Sequence, residues 1–145
     1  MVGRNLKIVK IMEYSFLKET DLEEYSALMF EFSNYKKDIT IEYFKEYIQR
    51  PDIKILVVRL KDKIIGTGTI FKLEKMHNNP VGQIEDVIIT ENYRGHGLGK
   101  EIINSLLKIG VEEFKCYKVI LNCLDKNIKF YEKCGFNISG CQMRI

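Results

Sequence analysis

Apolar positions recur along the chain with two periods, and their alternation divides it into short strands and amphipathic helices. Lys7 to Ile11 alternates apolar and charged residues, as a first strand would. Thr20-Asp21-Leu22-Glu23 reads as a capping box, and Leu22, Tyr25, Leu28, Met29 and Phe32 then recur at helical spacing to about Phe32. A polar stretch, Ser33 to Lys37, precedes a second helix that Thr40 can cap and whose Ile41, Phe44 and Ile48 share a face. Arg50-Pro51-Asp52 stops it, since proline disfavours helix in the residue before it. Ile53 to Leu60 and Ile64 to Leu73 are β-branched runs separated by Lys61-Asp62-Lys63, short enough for an antiparallel hairpin. Asn78-Asn79-Pro80 marks a loop, and Val81 to Thr90 reads as a central strand. Beyond it Ile102, Ile103, Leu106, Leu107, Val111 and Phe114 form one apolar helix face, and Tyr117 to Cys123 follows closely enough to be a parallel partner of the previous strand. Asn127 can cap a short helix ended by Gly135, and Asn137 to Ile145 reads as a last strand.

The order β-α-α-β-β-β-α-β-α-β is mixed α/β, mostly antiparallel, with one parallel pair near its end that splays beyond the glycine turn and leaves a cleft for an extended ligand. At 145 residues and 46% hydrophobic content, the chain suits a single domain, residues 1–145, with one substantial core. The 23 basic and 20 acidic residues give only +3 without a basic run, so nucleic acid is not indicated. No apolar run reaches the roughly 18 residues of a membrane span, and Met1 to Lys10 lacks the apolar core of a signal peptide. These features point to a soluble, cytoplasmic protein. Cys116, Cys123, Cys134 and Cys141 form no C-x-x-C pair and read as reduced thiols, and His77 and His96 are not placed to complete a zinc site, so no metal is expected.

The chemistry concentrates between Ile84 and Lys100, where a strand runs into a glycine-rich turn that opens a helix. Gly95, Gly97 and Gly99 remove Cβ atoms where a ligand must touch backbone, and first-turn N–H groups lacking intrahelical partners point at bound anions. Arg94 and Lys100 add positive charge at both ends. A Walker loop is excluded, because the position five before Gly99 is Arg94 and Glu101 follows Lys100. A dinucleotide fingerprint is excluded as well, because the glycines read G-x-G-x-G late in the chain. In the strand before the turn, Glu85 and Asp86 stand side by side; adjacent residues face opposite ways, so one carboxylate would face the core unless a bulge re-aims it.

Arg-x-x-Gly-x-Gly, Arg94 to Gly99, resembles the pyrophosphate loop of the GCN5-related N-acetyltransferases (GNAT fold). The resemblance sharpens with Ile84-Glu85-Asp86-Val87, Tyr93 to Lys100, Cys116 to Leu121 and Asn127 to Phe136, which together are similar to the glucosamine-6-phosphate N-acetyltransferase family. It is dense from Ile84 to Phe136 and looser over residues 1 to 80. The resemblance implies a GNAT fold with helices on both faces of the sheet, acetyl-CoA as cosubstrate, an amino-sugar phosphate as acceptor, and a homodimer with sugar sites near the interface. It implies acetyl-CoA along Val87, Ile88 and Ile89, with pyrophosphate on Arg94, Gly95, His96, Gly97, Leu98, Gly99 and Lys100. By the same resemblance Tyr131 lies near the thioester sulfur with Asn127 and Lys133 beside the cofactor, Glu85 and Asp86 face the acceptor, and Ser33, Lys75, His77 and Arg144 fall at or near sugar-phosphate contacts. The chain departs from the family in three places. Asn122 stands where a carboxylate is usual, the loop before Val81 is shorter, and Met143 is followed directly by Arg144 where the family has Met-x-x-Arg.

Direct acetyl transfer needs a neutral amine against the thioester carbonyl, donors for the developing oxyanion and a proton for the departing thiolate. Glu85 is the candidate base, through water; a backbone N–H of the Val87 to Ile89 strand is the candidate oxyanion donor, and Tyr131 the candidate acid. Two other readings keep the glycine loop: an acetyltransferase acting on another amine, peptide or aminoglycoside, and a non-catalytic acyl-CoA-binding module.

Overall fold

The computed structural model describes residues 11–34 and 37–145. Five strands, β1 (Glu13–Phe16), β2 (Ile53–Leu60), β3 (Lys63–Leu73), β4 (Val81–Ile89) and β5 (Lys118–Leu121), form one sheet in sequence order, antiparallel except for the parallel β4–β5 pair. The helices are α1 (Leu22–Ser33), α2 (Ile41–Ile48), α3 (Leu98–Lys108) and α4 (Ile128–Lys133). They cover both faces. One apolar cluster joins Val58, Ile65, Ile70 and Ile84 to Ile102, Ile103 and Leu106 of α3. The other joins Ile53, Val57, Ile64 and Ile88 to Leu28 of α1 and Phe44 of α2. Along β2 the two sets alternate because successive side chains leave opposite faces. No helix among the described residues is long and apolar enough to cross a membrane.

The β2–β3 hairpin turns on Lys61 and Asp62, both at positive φ (49° and 68°), as a tight two-residue turn matched to strand twist requires. Thr40 caps α2, its hydroxyl accepting from the Tyr43 N–H at 3.2 Å. α3 packs close to β3 because Gly68 is bare: a Cβ there would stand 2.5 Å from Ile102 Cγ2 and 3.0 Å from Leu106 Cδ1.

Several expectations need correction. Of the first strand expected at Lys7 to Ile11, residues 7–10 lie outside the described residues, and the first described strand begins at Glu13. The capping box at Thr20 to Glu23 does not form, because Thr20 lies inside a 3₁₀ turn, Glu19–Asp21, anchored by the Asp21 carboxylate. It accepts from the Lys18 N–H at 2.7 Å and, buried, from the Arg59 guanidinium at 2.9 and 2.5 Å. Val111 is exposed rather than on the apolar face of α3, since the chain continues as a π-turn in which Phe114 N–H donates to Ile109 O (2.9 Å). The wider turn shifts the phase and puts Gly110 on the sheet instead. Tyr117, Asn122 and Cys123 fall outside β5, which keeps only the residues that pair with β4. Asn127 makes no side-chain cap to α4, whereas Gly135 does end that helix at φ 94°. The strand expected at Asn137 to Ile145 does not form. No described strand pairs with it, Gly140 at φ 84° breaks the extended run, and Ile138, Met143 and Ile145 are exposed.

Candidate active site

The cleft is created by where strand pairing stops. β4 and β5 pair from Val81↔Lys118 to Ile84↔Leu121 and then part, while β4 runs on to Ile89, held only by β3 through Thr67↔Ile88 and Gly66↔Ile89. The β5-facing backbone edge of β4 beyond Ile84 therefore has no strand partner among the described residues, and it can pair with an extended ligand as another strand would.

At the end of that edge the chain makes a 3₁₀ turn, Glu91–Tyr93, and enters the glycine loop. Arg94 Nε–H donates to Ile89 O at 3.0 Å, fastening the loop to the last residue of the strand. Gly95 and Gly97 have φ 80° and 81°, which side-chain-bearing residues rarely adopt, and a Cβ on either would meet nothing within 4 Å. The surface they expose is open. The first α3 bond is Glu101 N–H to Gly97 O at 3.2 Å, so the N–H groups of Leu98, Gly99 and Lys100 face the opening without intrahelical partners. Gly99 is different: its Cβ would lie 3.1 Å from Phe130 Cζ, so its bareness lets α4 approach the first turn of α3.

A free strand edge that ends at a glycine-lined helix N-terminus suits a long ligand with amide groups along its stem and phosphates at its head. Comparison with known proteins agrees. The model of the Acetyltransferase (GNAT) family matches residues 19–136. Over 118 residues the chain is 40% identical to glucosamine 6-phosphate N-acetyltransferase 1 of Dictyostelium discoideum, covering 78% of this chain and 74% of that one. The crystal structure of glucosamine-6-phosphate N-acetyltransferase from Arabidopsis thaliana superposes with a TM-score of 0.82 at 29% identity, over 92% of this chain and 97% of that one. A Trypanosoma brucei acetyltransferase gives 0.84 at 31% identity, over 92% and 98%. The chain belongs to the GNAT family of acetyltransferases.

GNAT acetyltransferases use acetyl-CoA, and the cleft is the candidate place for it. Arg94, Lys100 and Lys133 are exposed beside the loop, while Leu98 is buried as the anchor of α3. Tyr131 is half-buried on α4, with Phe130 edge-on at 5.0 Å and 74° and Phe136 at 6.1 Å and 81°. Burial pushes its hydroxyl above the ordinary tyrosine value, and the Cys123 and Cys134 thiols add to the effect. The phenol therefore stays protonated, as a donor must. Burial likewise raises the Cys134 thiol, against an opposing pull from Lys100.

The suspected bulge is present. Register slips between Thr67↔Ile88 and Thr69↔Glu85, and Asp86 sits at φ 53°, unusual for a non-glycine residue. Ile84 and Val87 both belong to the cluster under α3, so Glu85 and Asp86 fall consecutively off that face. Glu85 is exposed, with Gln83 Nε2 donating to Oε1 at 3.0 Å. Asp86 is partly buried toward α1 and α2, and burial holds its carboxyl above the ordinary value.

The remaining expected residues are spread out. Ser33 ends α1, with its hydroxyl donating to Met29 O at 2.9 Å. Asn122 is exposed just past β5, and Asn127 is exposed at the start of α4. His96 is half-buried within the loop. Lys75 and His77 are exposed between β3 and β4, at the Val81 end, with the whole of β4 between them and the glycine loop; eight steps of ~3.3 Å make that roughly 26 Å. Arg144 is exposed in the irregular C-terminal segment. A concavity of about 550 Å³ beside α1 touches this region only through Thr90 to Tyr93 and includes neither β4 nor Tyr131. What the sequence reading missed is a cluster of tyrosines, Tyr25, Tyr43 and Tyr47, on α1 and α2 near Asp86. Their aromatic enrichment in two consecutive helices was the available signal.

Proposed function

We propose that this chain transfers the acetyl group of acetyl-CoA directly to the amine of D-glucosamine 6-phosphate, giving N-acetyl-D-glucosamine 6-phosphate and CoA. The observation that carries the reading is the parted β4–β5 pair opening onto the Arg94 to Lys100 helix N-terminus, in a chain 40% identical to a glucosamine 6-phosphate N-acetyltransferase. Bound acetyl-CoA supplies the activated acyl group. Val87 to Ile89 hold its stem by strand-like hydrogen bonds, and Gly95 to Lys100, with Arg94, hold its phosphates. A backbone N–H of Val87 to Ile89 donates to the developing oxyanion. Glu85, exposed to solvent at the bulge, takes the ammonium proton through water, and Tyr131 gives its phenolic proton to the departing thiolate. Asn122, an amide without basic capacity, orients rather than ionises; Asn127 and Lys133 flank the cofactor.

Asp86 meets the acceptor, with Ser33, Lys75, His77 and Arg144 on its phosphate side. Because Lys75 and His77 stand far from the loop within one chain, this part of the reading includes a homodimer whose sugar sites lie near the interface. The open edge of β5 and the exposed Ile138, Met143 and Ile145 support such an association. The product belongs to UDP-GlcNAc precursor synthesis in the cytoplasm.

The test is acetyl-CoA with a panel of amines, following free thiol. A site built for a phosphate leaves its cations unpaired with the dephosphorylated sugar, so kcat/KM should favour glucosamine 6-phosphate over glucosamine by on the order of 100-fold or more. Equal turnover of the two would overturn the assignment. Preference for a peptide or aminoglycoside amine would move it to another acceptor class, and binding without turnover would leave an acyl-CoA-binding module.

A further inference from the structure

Phe130 is 38% exposed and belongs to neither core cluster, yet its ring is in close contact on two sides. On one side the ring edge stands over Gly99, where a Cβ would lie 3.1 Å from Phe130 Cζ and 3.6 Å from Cε2. Gly99 lacks the positive φ of Gly95 and Gly97, so its bareness answers to this contact and not to backbone conformation. Glycine weakens a helix relative to alanine, and in the first turn of α3 the approach of Phe130 is what it permits. On the other side the Phe130 ring meets Tyr131 edge-on, with 5.0 Å between centroids and 74° between planes. Phe136 closes on Tyr131 at 6.1 Å and 81°. The Tyr131 backbone is fixed as well, its carbonyl accepting from the N–H groups of Cys134 and Phe136, each at 3.0 Å. Among the described residues no hydrogen bond holds the Tyr131 hydroxyl, so the two rings set its direction.

From these contacts we infer that Phe130, seated on Gly99, is a positioning residue that aims the Tyr131 hydroxyl at the departing thiolate and ties that aim to the first turn of α3. The inference rests on Tyr131 as the acid of the reaction proposed above and adds how that acid is held. Consecutive helix residues point about 100° apart, so Phe130 reaches the first turn of α3 while Tyr131 turns to the cluster beneath that helix. Edge-to-face pairs at these separations are directional, and a shift of Phe130 is passed to the ring beside it. A proton donor acts only within hydrogen-bond reach of the atom it serves, so a small misplacement costs rate without costing binding. The same first turn carries the N–H groups of Leu98, Gly99 and Lys100 that lack intrahelical partners. Gly99 thus borders both the anion seat and the support of the acid, and the cofactor rests on the turn that braces its proton donor.

The experiment is single-turnover acetylation of glucosamine 6-phosphate at saturating acetyl-CoA, in the wild type and in Tyr131→Phe, each with and without Phe130→Ala or Phe130→Leu. Phe130 lies outside both core clusters, so neither substitution opens a buried cavity. Phe130→Ala should slow the chemical step of the wild type by about tenfold, and Phe130→Leu, which keeps apolar bulk on Gly99, should recover part of the loss. In the Tyr131→Phe background, where there is no hydroxyl to aim, both should change the rate by less than about twofold. Gly99→Ala, which presses on the same ring from below, should slow the wild type and have little further effect once Phe130 is alanine. A Phe130→Ala loss of equal size in both backgrounds, or no loss in the wild type, would overturn the positioning role and leave the function standing. A wild type that does not acetylate the sugar phosphate, or a Tyr131→Phe loss below about threefold, would overturn the acid and the positioning role together.

Discussion

Replacing Tyr131 by phenylalanine isolates one atom. The ring sits edge-on to Phe130 at 5.0 Å and to Phe136 at 6.1 Å, and phenylalanine keeps both contacts and the half-buried surface. The stability change should stay within about 0.5 kcal/mol, whereas alanine would add the loss of two aromatic pairs of about 1 kcal/mol each to any chemical effect. Burial and the neighbouring thiols raise the hydroxyl above the ordinary tyrosine value near 10, so the group is a donor throughout the neutral range. Its contribution should lose strength only as pH rises through that raised value, so no alkaline limb below about pH 10 belongs to Tyr131. General acid catalysis contributes typically ~10²-fold, or about 2.7 kcal/mol of barrier. Tyr131→Phe should therefore slow the chemical step by about two orders of magnitude and leave acetyl-CoA affinity nearly unchanged. Single-turnover acetylation beside direct calorimetric binding separates chemistry from packing and product release. A loss below about threefold would show that water or another group protonates the thiolate.

Gly97→Ala should cost about 1 kcal/mol of stability from its φ of 81° and weaken acetyl-CoA binding measurably, because the added methyl stands where backbone must meet phosphate; unchanged affinity in the folded variant would remove the loop from the cofactor site. Asp21→Ala leaves Arg59 buried without its partner, at 7% exposure, and should cost about 3 kcal/mol in urea unfolding. Burial alone would raise the Asp21 carboxyl, but hydrogen bonds from Arg59 and the Lys18 N–H outweigh it and hold it below the ordinary value. With the folded value below the unfolded one near 3.9, the stabilisation is present above that pH and is lost as acid carries the protein through the folded value; a variant with the same acid sensitivity as the wild type would contradict this.

The parts of the fold that were legible in the sequence are those fixed by neighbours. Lys61-Asp62-Lys63 marks a hairpin because so few residues separate two β-branched runs, and the structure tightens it to a two-residue turn by pairing Lys63 with Leu60; Thr40 caps α2 through a bond to a residue three along. Paired carboxylates in an apolar strand signalled a bulge for a local reason, the alternation of strand faces. The failures have distant causes. The capping box read at Thr20 gives way to a turn whose Asp21 is held by Arg59, 38 residues away, and no local pattern announces that partner. The π-turn after α3 depends on the tight fit of Gly110 against Val119 and Ile70, where a Cβ would lie 2.9 and 3.1 Å away. The C-terminal alternation of apolar residues has nothing to pair with among the described strands. The site divides in the same way. The glycine loop is one contiguous stretch whose glycines state their backbone requirement, and its geometry was readable. The residues expected around the acceptor, Ser33, Lys75, His77, Glu85, Asp86 and Arg144, come from separate elements, and no local pattern brings them together.

That division has a physical origin in β4. The strand does three things within nine residues: it pairs with β5 at its start, leaves an unpaired edge beyond Ile84, and presents a carboxylate to the opposite side. A regular strand cannot, because strict alternation would send Glu85 and Asp86 to opposite faces and put one of them in the core cluster of Ile84 and Ile102. The slip at Glu85–Asp86 resolves the conflict with a single backbone irregularity. Before it, β4 is an ordinary member of the parallel pair; after it, Val87 and Ile89 return to the face under α3 and Ile88 to the other cluster, while the edge toward β5 is left free. In the proposed reading donor and acceptor therefore share one bulge in the chain, and a change that straightened it should be felt in both. The loss of acceptor selectivity and of acetyl-CoA affinity should then be coupled, although Asp86 itself need touch only the amine.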